Sequence, residues 1–304
     1  MRLKGVGQQR ASALSAAAGR AAKWLLGPIE GRLPDVAVAV RRHRQVHGEL
    51  PRILAPRTFS EKVLHRKLFD RRELLTRLAD KYAVRMYVEA RLGKDVLVAL
   101  YGVFTDPTSI PFDELPPAFV VKPTHGSGWI RIVRDQTKLD RAALIAECRA
   151  WLAQSYYART REWVYKNVQP RVLVEELIDD GSGGPPIDYK VFVFDGTARV
   201  IQVDVGRYAD HRRDLFTVDW KRLDVAYAHE NVGAVVPPPP HLTELVRAAE
   251  RLGQGLDFVR ADFYDTPQGI RFGELTTTPE GGLGWFRPRT FDQQLGAYWR
   301  LPRR

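Results

Sequence analysis

Residues 258–279, FVRADFYDTPQGIRFGELTTTP, constrain the fold more than any other stretch of the chain. Two short apolar-alternating runs flank Thr266-Pro267-Gln268-Gly269, so the segment predicts two antiparallel strands joined by a turn. One strand carries Asp262 and the other Glu274. Side chains alternate with period two, so Arg260 shares a face with Asp262, and Thr276 shares one with Glu274. Pairing sets the two carboxylates side by side. Two carboxylates, an arginine and a hydroxyl on one sheet face suit Mg²⁺ holding a polyphosphate, because that ion takes few protein oxygens and leaves the rest to water or substrate. The alternative is a solvated hairpin with ordinary surface charges.

The remaining composition narrows the class. At 304 residues the chain has room for two domains or one large one. Hydrophobic content of 44% and charged content of 27% describe a globular protein. No apolar run is long enough to cross a bilayer. Cys148 is the sole cysteine, which excludes an intramolecular disulfide and a cysteine-based zinc site and suggests a cytoplasmic compartment. The net charge of +11 draws anionic partners. No zinc-finger spacing, RNA-binding signature or Lys-rich tail accompanies it, so nucleic acid is not an expected partner.

Residues 1–50 read as a basic N-terminal extension. Within it, residues 11–26 could form an amphipathic helix for peripheral membrane contact or simply a frayed end. Residues 51–118 read as an N-terminal part. There Thr58-Phe59-Ser60-Glu61 has capping-box spacing, and Asp80 looks like the N-cap of a helix over 81–92. Lys81 then sits at the positive end of a helix, where a lysine is disfavoured unless it serves an anion. Residues 119–180 carry FVVKPTHGSGWIRIVRD, a predicted hairpin whose loop holds His125, Gly126, Ser127 and Gly128. Small residues let backbone N–H groups close over phosphate oxygens, and Lys122 ends the preceding strand as a point charge. His125 reads either as an acid–base group or as a loop histidine without chemistry. Residues 172–178 form a strand running into acidic residues, and 156–170 an irregular aromatic and basic segment. In 181–304, Asp195-Gly196 signals a hairpin, Arg207, His211, Arg212 and Arg213 follow in a loop, and 242–253 form a helix.

The pieces Thr58-Phe59-Ser60-Glu61-Lys62, Asp80-Lys81-Tyr82-Ala83-Val84-Arg85, Lys122-Pro123-Thr124-His125-Gly126-Ser127-Gly128, Asp188-Tyr189-Lys190 and Gly273-Glu274-Leu275-Thr276-Thr277-Thr278-Pro279 stand in an order that resembles the ATP-grasp superfamily. They look most like its TupA-like branch, tied to teichuronopeptide and other surface-polysaccharide synthesis. The resemblance spans about residues 50–300 and implies an α+β ATP-grasp fold. ATP would lie between two antiparallel sheets, beside a small N-terminal α/β part. It implies that Lys81 and Lys122 contact phosphates and that His125 lies with Gly126, Ser127 and Gly128 in the loop closing over the β- and γ-phosphates. Glu175, Glu176 and Ile178 would meet the adenine edge, and Asp188 the ribose. Lys190 and Arg207 would bind phosphate or substrate, Arg260 would steady transferring charge, and Asp262, Glu274 and Thr276 would hold Mg²⁺ or Mn²⁺. Thr276 departs from the asparagine usual in the superfamily, which implies weaker or water-mediated coordination.

The implied activity is amide formation. A substrate carboxylate attacks the γ-phosphate of ATP, and an amine then displaces phosphate from the acylphosphate. The partners would be ATP, an anionic carboxylate that a glycan could carry, and an amine acceptor. Phosphorylation of a hydroxyl and a non-catalytic nucleotide-binding module remain as alternatives. Residues 156–167, 208–214 and 281–289 are the expected selectors of substrate.

Overall fold

The computed structural model describes residues 31–179, 186–206 and 210–302. The expected amphipathic helix over 11–26 and the expected site residue Arg207 lie outside the described residues. Four helices open the described chain: α1 (Asp35–His47), α2 (Phe59–Phe69), α3 (Glu73–Ala79) and α4 (Val84–Leu92). The Thr58/Glu61 capping box at α2 is present. It is reinforced because Glu61 also accepts the backbone N–H groups of Arg52 (2.9 Å) and Arg57 (2.8 Å).

Strand β1 (Leu100–Phe104) follows and pairs antiparallel with β4 (Val172–Glu176), which pairs with β2 (Phe119–Pro123), which pairs with β3 (Arg131–Val133). The first strand of the 51–118 part therefore belongs to the small sheet, and the regular elements described within 35–92 are all helices. Residues 100–104 find their open edge on β4. Helix α5 (Arg141–Leu152) covers one sheet face and buries Leu144, Cys148 and Trp151 against Phe119, Val121 and Val172. Burial pushes the Cys148 thiol up to about 12, so it is an inert core residue. The segment expected to be irregular forms a short helix, α6 (Tyr156–Thr160), and a 3₁₀ turn over Trp163–Tyr165.

The large sheet has the order β11-β10-β5-β6-β7-β8. Its strands are β5 (Asp188–Phe194), β6 (Thr197–Val205), β7 (Arg212–Phe216), β8 (Arg222–Leu223), β10 (Phe258–Thr266) and β11 (Gly269–Thr276). Asp195 and Gly196 join β5 to β6 with φ of 49° and 73°, the twist a two-residue hairpin needs. Arg212 and Arg213 lie on β7, not in the loop expected from sequence. A two-stranded pair, β9 (Ala226–Tyr227) with β12 (Phe286–Arg287), and helices α7 (Leu242–Gly253) and α8 (Thr290–Tyr298) complete the chain.

Register explains where the core stops. One face of the large sheet is apolar along its central strands: Val191, Val193, Ile201, Ala261 and Phe263 pack under α7 and α4. The other face changes character along the strands. Phe258 pairs with Phe194, and Arg260 with Phe192. The next rung is Asp262–Lys190–Gln202, and Asp188 pairs with Asp204 one rung further. The phenylalanine end is closed by Phe59, Phe286 and Trp299. The charged end lines a cleft that it shares with Lys122 and Ile130 on the small-sheet side. The change from phenylalanine to charge at period two marks the boundary between core and site.

Candidate functional site

The hairpin that organises the sequence forms as expected. Asp262 is the register partner of Glu274, and Arg260 of Thr276. Pairing shifts between Asp262 and Phe263, which then meets Phe272, leaving Gly273 as a bulge. Without the bulge, Glu274 and Phe272 would share a face. With it, Phe272 joins the core and Glu274 lines the cleft.

Asp262 is the node of the charged face. Its carboxylate accepts Arg260 Nε (2.8 Å), Arg260 Nη2 (2.7 Å) and Lys190 Nζ (3.0 Å). Lys190 Nζ also lies 3.2 Å from Asp188 Oδ2 and 3.9 Å from Asp204 Oδ2. Thr276 accepts Arg260 Nη2 (3.1 Å) and donates to Glu274 Oε1 (2.7 Å). Burial pushes the Asp262 carboxyl up, against the pull of Arg260 and Lys190. For Glu274, burial is outweighed by Lys81, Arg260 and the Thr276 hydroxyl, which hold it well below the usual carboxylate range. Burial pulls on Lys190 as well, but Asp188 and Asp262 raise it, so it stays an ammonium. The donor set at this place, two carboxylates and a hydroxyl on neighbouring strands, fits a hard divalent cation that keeps several positions for water or phosphate oxygens. Among the described residues, no cluster of three or more His, Cys, Asp or Glu side chains offers an all-protein metal cage.

Across the cleft, Lys81 does not lie in a helical first turn, because α4 begins at Val84. Asp80 still caps: its carboxylate accepts the N–H groups of Tyr82 (2.8 Å) and Ala83 (3.2 Å). Lys81 Nζ donates to Gly126 O (2.5 Å) and lies 3.8 Å from Glu274 Oε2, so it spans loop and large sheet. Burial lowers its pKa, against the pull of Glu274. Lys122 pairs with Glu175. Ser127 and Gly128 line the cleft opposite Asp262 and Glu274.

His125 is the exception in this loop. Its ring is buried, and Nε2 lies 3.1 Å from Trp151 O and 3.2 Å from Gln154 O, at the C-terminal end of α5. It therefore bonds the C-terminal end of a helix inside the small-sheet core and lines none of the cleft spaces, where the resemblance implies a place beside phosphate. Replacing it should be a stability change: His125→Leu is expected to cost about 1–2 kcal/mol from the lost hydrogen bonds. Thermal unfolding and nucleotide titration check this, with nucleotide affinity unmoved.

Three spaces run together through the cleft. The first, about 720 Å³ of empty volume, is lined by Val98, Val120, Ile132, Glu175, Leu177 and Ile178, and Glu176 also borders it. It is the most apolar of the three. The second, about 580 Å³, holds Lys81, Lys122, Asp188, Lys190, Asp262 and Glu274. The third, about 1120 Å³, continues past Ser127, Lys190 and Glu274 into a chamber. The expected site residues within the described chain, His125 and Gly126 apart, thus border one continuous cleft, and Gly126 meets it through its carbonyl bond to Lys81.

The chamber is built from residues that spacing alone did not single out. Asp204 accepts Arg213 Nε (2.6 Å), and Arg213 Nη1 reaches Glu280 Oε1 (2.9 Å). Glu162 accepts the Thr278 hydroxyl (2.6 Å), and Lys67 Nζ donates to Gly281 O (3.2 Å). Glu280, Gly281 and Gly282 take φ of 51°, 59° and 77° in succession, so the chain curls back against α2. The signal for this strap was legible in Pro279-Glu280-Gly281-Gly282. The pairing of Arg213 with Asp204 and Glu280 was not. The three segments expected to select substrate, 156–167, 208–214 and 281–289, each contribute chamber residues: Tyr156 and Glu162, His211 and Arg213, Gly281 and Leu283.

Comparison with known proteins agrees with the sequence resemblance. The TupA-like ATP-grasp family pattern matches residues 61–300. No curated protein matches the chain. Among solved structures, the ATP-grasp ligase PsnB complexed with minimal precursor is 13% identical, with a TM-score of 0.39, covering 67% of this chain and 54% of its own. D-alanine–D-alanine ligase from Bacillus anthracis complexed with ATP is 16% identical, with a TM-score of 0.40, and the match covers 68% of this chain and 56% of that one. A RimK domain protein ATP-grasp from Sphaerobacter thermophilus is 18% identical, with a TM-score of 0.39, over 73% of this chain and 68% of that one. The chain thus spans little more than half the length of the first two. Its α+β architecture, with two antiparallel sheets facing a cleft, and the family match over most of its length show that this chain belongs to the TupA-like ATP-grasp family.

Proposed function

We propose that the protein is a Mg-ATP-dependent carboxylate–amine ligase acting through an acylphosphate, in the synthesis or modification of a cell-surface polysaccharide. The observation that carries the reading is the Asp262–Glu274–Thr276–Arg260–Lys190 constellation on one sheet face, opposite Lys81, Lys122 and the Gly126–Ser127–Gly128 loop. The adenine enters the apolar space and meets the strand end at Glu175, Glu176 and Ile178. Asp188, on the border of the apolar and phosphate spaces, takes the ribose. Lys81, Lys122 and the loop hold the β- and γ-phosphates. Asp262, Glu274 and Thr276 hold Mg²⁺ or Mn²⁺, which supplies charge neutralisation at the phosphate oxygens when bound. Lys190 and Arg260 face the γ-phosphate and steady the charge that moves as the bond breaks, and Arg207 remains a candidate for the same task. Phosphoryl transfer asks the protein for alignment and charge more than for covalent help, which is why lysines, arginines and carboxylates suffice. The chamber beyond admits the carboxylate and then the amine.

The polysaccharide setting rests on what the sequence resemblance implies and on the net charge of +11, which suits an acidic polymer or a nucleotide- or lipid-linked intermediate. No helix of the described residues is long and apolar enough to cross a membrane. We place the protein in the cytoplasm, with its basic N-terminal residues available for contact with the inner membrane face.

Incubation with ATP labelled at the γ-position, Mg²⁺ and candidate acidic acceptors tests the reading. Ligation releases the label as free phosphate only when carboxylate and amine are both present. Label retained on the product shows hydroxyl phosphorylation instead. Tight Mg-ATP binding with no ADP formed by any acceptor removes the enzyme reading.

A further inference from the structure

The far wall of the chamber holds a buried cation that the ATP site does not use. Lys67, on α2, is 4% exposed yet lines the chamber. The described residues give its ammonium one hydrogen bond, to Gly281 O at 3.2 Å, and no carboxylate oxygen within ion-pair reach. An ammonium has three N–H donors, so part of its capacity is unspent in a place shielded from bulk water. Arg42, from α1, lines the same wall. The nearest acid there, Glu162, is occupied by Thr278 at 2.6 Å, and burial pushes its carboxyl up despite Lys67.

The space beside Lys67 is kept open by the strap. A Cβ added at Gly281 would stand 3.4 Å from Lys67 Nζ and 3.8 Å from Glu162 Oε1, and φ there is +59°. Glycine both permits the left-handed backbone and leaves room at the ammonium.

We propose that Lys67, supported by Arg42, is a second anion-binding station, and that the substrate carries an acidic group there in addition to the carboxylate that reacts beside Arg260 and Lys190. The proposal rests on the ligase reading for the reacting carboxylate. It narrows the substrate class to molecules with two separated acidic groups, such as a dicarboxylic acid or a chain of acidic units. A buried ammonium meeting a carboxylate makes a charge-assisted hydrogen bond, which is among the stronger polar contacts available. Lys67 then acts as a specificity-determining residue, distant from the bonds that change.

Titration calorimetry with glutarate and with valerate tests this, because the two acids share a five-carbon chain and differ in one carboxylate. Wild type, Lys67→Met and Arg42→Gln are compared, with and without Mg-ADP. Wild type is expected to bind glutarate about ten-fold or more tightly than valerate, and Lys67→Met to lose that preference. Arg42→Gln is expected to reduce it, and Mg-ATP affinity should stay within about two-fold in both variants. Equal binding of the two acids by wild type, or an undiminished preference in both variants, overturns the proposal. If Lys67→Met does not fold, the half-buried Arg42→Gln decides alone. A wild type that prefers glutarate but binds no Mg-ATP refutes the ligase reading and leaves the anion station standing.

Discussion

Asp262→Asn is expected to lower ATP turnover by about two to three orders of magnitude, the scale at which enzymes lose a preorganised group facing developing charge. The substitution keeps shape and one carbonyl oxygen. It removes the negative charge that lies against Arg260 at 2.7 Å and Lys190 at 3.0 Å, and turns an amide N–H₂ toward one of those cations. Two effects follow from the same atom. A hard divalent cation loses one of its two carboxylate ligands, so its affinity falls. Lys190 and Arg260 lose their shared counter-ion and are pulled from the place proposed for the γ-phosphate toward Asp188 at 3.2 Å and Glu274 at 3.7 Å. Those remaining acids limit the damage to the fold, so a loss of about 1–3 kcal/mol is expected from the broken charged hydrogen bonds. Steady-state ADP release at saturating ATP, a Mg²⁺ titration and thermal unfolding separate the three consequences. A variant with full turnover and an unchanged Mg²⁺ requirement rules out this metal site.

The site's centre was legible because it is local. Asp262, Glu274, Arg260 and Thr276 sit on one hairpin, and strand alternation plus a recognisable turn is enough to place them together. Lys190 joins them because its strand is the direct neighbour, which sequence order suggests but does not prove. Lys81 reached the cleft for a reason other than the helix dipole: α4 starts three residues later, and the lysine is positioned by its bond to Gly126 O. The chamber was hidden because it is assembled from distant parts. Glu162 follows α6, Lys67 lies on α2, Arg213 on β7 and Glu280 on the strap, and no spacing rule links them. What ties them is burial of charge, visible only once the sheet registers are known. His125 misled for the opposite reason. A histidine beside Gly126, Ser127 and Gly128 looks exposed, but the loop folds its ring under α5.

Arg66→Met is expected to destabilise the protein by about 3–5 kcal/mol, the range for breaking a buried charged pair from one side. Arg66 is 1% exposed. Its Nη1 donates to Phe258 O (2.9 Å) and Thr277 O (3.1 Å), the start of β10 and the residue just past β11. Nη2 pairs with Asp257, and the guanidinium stacks 4.3 Å from the Trp299 ring centroid. One side chain on α2 thus clamps both strands of the site hairpin and the end of α8. Methionine fills the volume but takes the guanidinium donor from both carbonyls. Asp257 keeps Arg72 (2.8 Å) and Trp299 Nε1 (2.7 Å), which places the loss toward the lower end of the range. The pH dependence identifies the cause. Burial pushes the Asp257 carboxyl up, but Arg66, Trp299 and Arg72 outweigh it and hold it below its ordinary value of 3.8. A depressed carboxyl contributes stability above its unfolded pKa and loses that contribution as pH falls through the folded one. The gap between wild type and Arg66→Met should therefore be widest near neutrality and narrow below about pH 4. Urea unfolding at pH 7 and at a series of lower pH values measures it. A gap of the same size at every pH would assign the loss to the two carbonyl bonds and the stack, with no part for the Asp257 pair.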